Sequence, residues 1–557
     1  MPRTPLARAL ARLAAEHRTA DALDVHVDEV RTMEPDAVRA GLTRRGLLAA
    51  AGAVVGGVAL GEWPSGAGRA YGATAPRIAI VGAGISGLTA ALRLQDSGLA
   101  STVYEANTRV GGRMFSNSDT WSDMQVSEWG GELIDSGHKT IQTLAKRFAI
   151  PLDDLVQAEP SSAEPTYFFD GAYYPYAAAT KDFQPVHQAI SDDMKTFTWP
   201  VTWTSYPLYP QGYVTPPGGV VLSDLSVYDW IETRVPGGHA SPMGQLLDVA
   251  YVIEYGGDSR DQTALNLLGL LAYQPSPGNF SIFGLSDERY HMRGGNDQLP
   301  TAIAQALPAD SVLTGWQLTA LATNADGTQS LTFAVGASTR TVTADHTVLA
   351  VPLGVLQTLD FSQAGFDDRK TAQIAAMRMG SNAKLQLQFK QRLWNSTGAW
   401  PGISNGESYA DTGYQNTWDV SRAQPGASGI LVDYTGGAPA SAYDLGPTAF
   451  ADQANGKVGA YARMFLRQIE PVFPGITALW NGRAALSAWP KNPYSLGAYS
   501  YWPTGYCYRY AGYEAMRQGN THFAGEHCSI DFQGYMEGGA TEGQRAAEEI
   551  LADLGLK

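Results

Sequence analysis

The chain has 557 residues, 44% hydrophobic and 17% charged, with a formal net charge of -15. That is an ordinary globular composition with ample core, and the length points to several domains. The acidic balance argues against a nucleic-acid partner and against docking on an anionic membrane.

The N-terminal stretch reads as a targeting segment. Thr43-Arg44-Arg45-Gly46-Leu47-Leu48 has the form of a twin-arginine signal, followed by an apolar run from Leu47 to Leu60. That run is short for a bilayer-spanning helix, and Ala73-Thr74-Ala75 or Gly68-Arg69-Ala70 offers a small-residue cleavage site. Residues 1–75 are therefore expected to be a leader, with the protein exported to the cell envelope or beyond. No function is read for residues 1–42.

The run from Ile78 to Arg113 carries the strongest local signal. Ile78 to Val81 is continuously apolar, the pattern of a strand buried on both faces. Gly82, Gly84 and Gly87 follow in the G-x-G-x-x-G spacing, and Glu105 closes the next strand. Gly82 permits the tight turn, Gly84 the approach of a pyrophosphate, and Gly87 close packing of helix on strand. The helix expected over 85–95 aims its first N–H groups, beginning at Ile85 and Ser86, at the phosphates. Glu105, with Ala106 after it, suits the two ribose hydroxyls of an adenosine. Arg109, Gly111, Gly112 and Arg113 lie immediately downstream; the glycines admit close backbone approach, and Arg113 can neutralise a pyrophosphate.

Further along, 139–148 reads as an amphipathic helix, with Ile141, Leu144 and Phe148 at helical spacing. Residues 157–217, rich in Tyr, Trp and Pro, are expected to be loop, short strand and helix lining a cavity. Helices are expected over 229–235 and 242–272. Polar–apolar alternation over 311–352 predicts strands, with a hairpin turn at Asn324-Ala-Asp-Gly327. A helix over 367–377, a strand over 383–389 and a closing helix over 538–554 complete the pass. Cys507, Cys528 and the nine His residues show no ligand spacing, so no metal is expected; whether the two cysteines pair stays open.

Five blocks together resemble the flavin-containing amine oxidase superfamily, the group of monoamine oxidases, polyamine oxidases and L-amino-acid oxidases. They are Arg109-Val-Gly-Gly-Arg113, Glu128-Trp-Gly130-Gly131-Glu132, Arg293-Gly-Gly-Asn-Asp-Gln-Leu299, Thr347-Val-Leu-Ala-Val-Pro-Leu-Gly354, and the block from His522 to Ile550. The resemblance implies an α/β fold: a discontinuous FAD-binding Rossmann-like domain of glutathione-reductase type, plus a substrate domain with mixed β-sheet and helices. It places the FAD domain at 76–135, 290–352 and 515–557, and the substrate domain at 136–289 and 353–514. It adds Gly130, Gly131, Glu132, Leu318, Gly525, Glu526, Tyr535 and Met536 as cofactor contacts. For Leu318 a plain core strand residue is the alternative.

By the same resemblance Lys384 reaches the flavin N5 through water, and Tyr499 and Tyr535 form an aromatic cage for the substrate amine. The residues alone also allow Lys384 on the solvent face of its strand and the tyrosines as core packing. Ala498 stands where the monoamine oxidases carry a flavin-bonded cysteine, so FAD is expected to be non-covalent. The final residues lack an apolar tail, so no membrane anchor is expected, and Glu542 departs from the small residue usual at its place. The implied activity is oxidative deamination of an L-amino acid or a primary amine by molecular oxygen, yielding imine or carbonyl, ammonia and hydrogen peroxide. Arg289, Arg378 and Arg509 are available for a substrate carboxylate. A dehydrogenase or desaturase of a non-amine substrate, a non-catalytic flavin binder, and a homodimeric assembly all remain open.

Overall fold

Ile78–Val81 is buried along its whole length, as its apolar run predicts. It pairs in parallel with His346–Leu349 on one side and Thr102–Glu105 on the other. Thr521–Phe523 and Val312–Thr314 extend the sheet outward, giving five parallel strands from three distant stretches of chain. The helices Ile85–Asp96 and Met536–Asp553 share one apolar core with this sheet, joining Ile80, Val103 and Val348 to Leu88, Ala546 and Ile550. The computed structural model describes residues 75–197, 217–272, 278 and 280–556. The twin-arginine segment lies outside the described residues. Among them, no helix is long and apolar enough to cross a membrane. The described elements from Arg77 onward belong to one compact unit.

The alternating stretch forms Trp316–Thr323, Gln329–Val335 and Ser338–Ala344, an antiparallel meander. Its first turn closes where Gly327 N donates to Asn324 O at 3.0 Å. A larger sheet of eight strands is centred on Asn382–Phe389, which lies between Gly429–Gly436 and Trp480–Ala488. The helix Pro242–Tyr255 packs on this sheet against Gly429–Gly436 and Ile403–Ala410.

Two segments differ from expectation. The helix expected over 242–272 is two helices, Pro242–Tyr255 and Ala264–Leu271. Gly256 ends the first in the left-handed conformation at φ 67, and a Cβ there would lie 2.0 Å from Asn382 Oδ1. Thr263 then caps the second helix through Leu265 N. Within 157–217 the regular structure is greater than its weak periodicity predicts: strands Ala163–Phe169 and Ala172–Tyr174, then a helix Tyr176–Phe197 that carries Pro185 within it. No described residue of that stretch lines the large cavity treated below. The closing helix starts at Met536, two residues earlier than expected, with Tyr535 as its N-cap.

Candidate active site

One continuous cavity of about 310 Å³ begins at the first strand–turn–helix and reaches the eight-stranded sheet. Gly82, Gly84, Ile85, Ser86, Glu105 and Ala106 line its first end, with Arg109, Gly111, Gly112 and Arg113 beside them. Gly87 lines none of it. A Cβ at Gly87 would stand 1.9 Å from Gly82 O, so its smallness serves the contact of helix with turn. A Cβ at Gly84 would meet nothing within 4 Å and would project into open space.

This end suits a dinucleotide. Each Glu105 oxygen accepts one backbone N–H, from Ala83 at 2.7 Å and from Asn107 at 2.8 Å. A carboxylate oxygen has room for a second donor, so both remain able to take a ribose hydroxyl. Burial pushes the Glu105 carboxyl up, against the pull of those two N–H groups. The helix Ile85–Asp96 has no side-chain cap and no acid in its first turn, which leaves its positive end open to an anion. Ser86 Oγ is buried there with no partner.

Arg113 is engaged differently from expectation. It donates to Glu526 Oε1 and to Ala498 O, both at 2.8 Å, instead of pointing free at a pyrophosphate. Burial acts to raise the Glu526 carboxyl, but the Arg113 guanidinium outweighs it and the net shift is downward. Glu526 also accepts from Ser500 and from Gly534 N, so this pair ties three chain segments to the cavity wall. Arg109 lies over the Phe115 ring at 3.8 Å and donates to Gly112 O.

Gly130, Gly131, Glu132, Leu318, Gly525, Glu526, Tyr535 and Met536 also line the cavity. Leu318 is also a buried member of the core beneath the meander, so both of its readings describe it. Lys384 does not face solvent, because every residue of Asn382–Phe389 is buried. Its Nζ donates to Glu132 Oε2 at 2.7 Å and to Gly130 O at 2.8 Å. Burial acts to raise Glu132, and Lys384 overcomes this to hold the carboxyl below its usual range. Trp418 Nε1 donates to the other Glu132 oxygen at 2.8 Å.

Tyr499 and Tyr535 both line the cavity and neither is plain core packing. The Tyr499 hydroxyl meets Tyr434 Oη at 2.7 Å and donates to Ile253 O at 3.0 Å. Tyr535 donates to Glu254 Oε1 at 2.9 Å. Burial pushes both phenols well above their usual range, so both stay neutral.

Three carboxyl groups missed in the sequence face the same cavity: Glu254, Glu288 and Glu407. They lie in a helix, a loop and a strand, and no local motif marks any of them. Each is half-buried, its open side toward the cavity. Among the described residues none forms a salt bridge. Burial pushes Glu254 up to about 8, opposed by the Tyr535 hydrogen bond. Burial also raises Glu288 and Glu407. Arg289, Arg378 and Arg509 lie off the cavity; the arginine that does line this end is Arg422, whose Nη1 is 2.6 Å from Glu159. Cys507 and Cys528 are buried thiols.

Fold and cavity together define a dinucleotide-dependent oxidoreductase whose cofactor groove opens onto an aromatic, acid-lined chamber. The model of the family described as flavin containing amine oxidoreductase matches residues 85–210 and 248–551. The chain belongs to that family; it is a flavin oxidoreductase and its cofactor is FAD. It is 23% identical over 506 residues to an L-amino-acid oxidase of Siganus canaliculatus, covering 86% of this chain and 85% of that protein. It is 22% identical over 504 residues to polyamine oxidase 1 of Zea mays, covering 86% and 90%. Among solved structures it is similar to cyclohexylamine oxidase from Brevibacterium oxydans IH-35A, with a TM-score of 0.70, 20% identity, and coverage of 86% of this chain and all of that one.

Proposed function

We propose that the protein is an FAD-dependent oxidase that deaminates a small primary amine carrying a second cationic group, releasing imine or carbonyl, ammonia and hydrogen peroxide. The observation that carries this reading is the set of three carboxyls, Glu254, Glu288 and Glu407, with no salt-bridge partner among the described residues, in one chamber with Tyr499 and Tyr535. The second cationic group would meet desolvated acids whose charged form burial disfavours, and pairing with one is far cheaper than leaving a buried charge alone.

FAD, when bound, takes two electrons from the substrate carbon and passes them to oxygen. The protein supplies position and charge. Tyr499 is fixed by Tyr434 and Ile253, and Tyr535 by Glu254, so the two rings hold set orientations at the chamber wall. An apolar, aromatic wall favours the neutral form of the reacting amine. The Lys384–Glu132 pair places a fixed ammonium beside Gly130, at the cofactor side of the chamber. Ala498 has no nucleophilic atom, which supports non-covalent FAD.

A second reading, an L-amino acid as substrate, is favoured by Arg422, whose guanidinium could grip a carboxylate once released from Glu159. Peroxide release from diamines, monoamines and L-amino acids separates the readings. Turnover of diamines with little from L-amino acids supports the first; the reverse order overturns it. No peroxide from any amine, with yellow flavin bound, would return the dehydrogenase reading.

We also propose the domain limits given by the resemblance, and twin-arginine export of the chain, supported by Thr43-Arg44-Arg45. Replacing Arg44 and Arg45 by Lys should retain the protein in the cytoplasm; unchanged export would dismiss the signal.

A further inference from the structure

The side of the five-stranded sheet that faces the closing helix holds a cluster that the oxidase chemistry does not use. His346 and His522 stand on neighbouring parallel strands, both buried, and His346 Nδ1 lies 3.4 Å from His522 Nε2. Asp553, near the end of the helix Met536–Asp553, brings a carboxylate oxygen to them; the three ligand atoms all lie within 4.8 Å of one another.

We propose that His346, His522 and Asp553 form a binding site for a divalent transition ion of the Zn²⁺ class. Zinc–nitrogen bonds of about 2.0–2.1 Å in a tetrahedron set ligand nitrogens about 3.3–3.4 Å apart, the separation this histidine pair already has. Two imidazoles and one carboxylate are a borderline-soft donor set that suits zinc better than calcium or magnesium.

The surroundings are arranged as a second layer around a metal. His522 Nδ1 lies 2.8 Å from Glu549 Oε2, which fixes that nitrogen as the protonated one and leaves Nε2 with its lone pair toward His346. Glu549 is held in turn by Arg545, one helical turn away. Arg517 engages Asp553 through Oδ2, leaving Oδ1 for an ion. A plain histidine–histidine hydrogen bond accounts for the 3.4 Å contact but not for a third ligand on the helix, nor for the carboxylate behind His522. Water would take the fourth position.

Such an ion would pin the last turn of the helix to the sheet. The first turn of that helix carries Met536 and Gly539, which line the cofactor cavity. The site would thus act as a stabilising clamp at the far end of a catalytic element.

The test uses the full-length holoenzyme, stripped with a strong chelator and then dialysed with ZnCl2. Metal is counted by mass spectrometry, and CoCl2 is the spectroscopic probe. Retention of one zinc per chain, Co²⁺ d–d bands to the red of the flavin absorption, and a melting temperature that the chelator lowers are expected. His346→Gln and Asp553→Asn should each weaken binding by about tenfold or more. Asp553 is exposed, so its variant still folds if the His346 variant does not. Substoichiometric zinc, or binding unchanged in Asp553→Asn, would overturn the proposal.

Discussion

Lys384 and Glu132 are each other's charge partner inside the cavity wall. Removing one member of such a pair leaves the other charged and buried, a loss of about 3–5 kcal/mol. Lys384→Met should therefore lower the urea midpoint, and Lys384→Met with Glu132→Gln should recover most of it. Stopped-flow reoxidation by oxygen should slow in both, because the ammonium is absent in both. Glu254 makes a different prediction. Its folded-state pKa, about 8, lies above the ordinary value of 4.5. Between those values the folded state keeps a proton that the unfolded chain has released, so Glu254 lowers stability as pH rises from 4.5 to 8 and adds no further slope above. Glu254→Gln should flatten the pH dependence of the melting temperature in that window. The same variant should raise KM for a diamine by about 10–100-fold, the worth of one charge-assisted hydrogen bond, with little change for a monoamine. Equal losses on both substrates would remove Glu254 from recognition of the second cation.

At the scale of elements, the first strand–turn–helix separates two roles that one glycine motif combines. Gly87→Ala would force a Cβ to 1.9 Å from Gly82 O, so the helix must shift off its strand. Overpacking of this kind costs about 1–3 kcal/mol or more, and the melting temperature and the flavin content should fall together. Gly84→Ala has open space, so it should keep the melting temperature of the flavin-free protein and lose flavin affinity alone. This element was legible in sequence because its requirements are local: an apolar run, a turn and a helix within twenty-eight residues of Glu105. The meander over 316–344 was legible for the same reason, through period-two alternation and its Asn-Ala-Asp-Gly turn. The break after Tyr255 was not. The demand for glycine at 256 comes from Asn382, which is distant in sequence, and the Leu-rich runs on either side read as one helix. Glu254, Glu288 and Glu407 were invisible for a related reason: a lone carboxylate in a helix, a loop and a strand is ordinary, and only the fold turns all three into one chamber.

Across the whole molecule, the cavity is built from segments that span nearly the full described chain, and no segment offers a thiol to the cofactor side at Ala498. Acid precipitation should leave a colourless pellet and release all of the flavin; yellow protein in the pellet would contradict non-covalent binding. The five-stranded sheet bears on how the enzyme is made. Its central strand, Ile78–Val81, leaves the ribosome long before its edge strand, Thr521–Phe523. Contacts of such long sequence separation form slowly. A nascent chain therefore waits until Glu526 has emerged before that residue can meet Arg113 and the groove can close. A chain stalled or cut before residue 521 would hold the whole glycine turn and still be unable to retain flavin. Cofactor loading thus follows synthesis of the segment around Glu526, and yellow colour marks a chain translated at least that far.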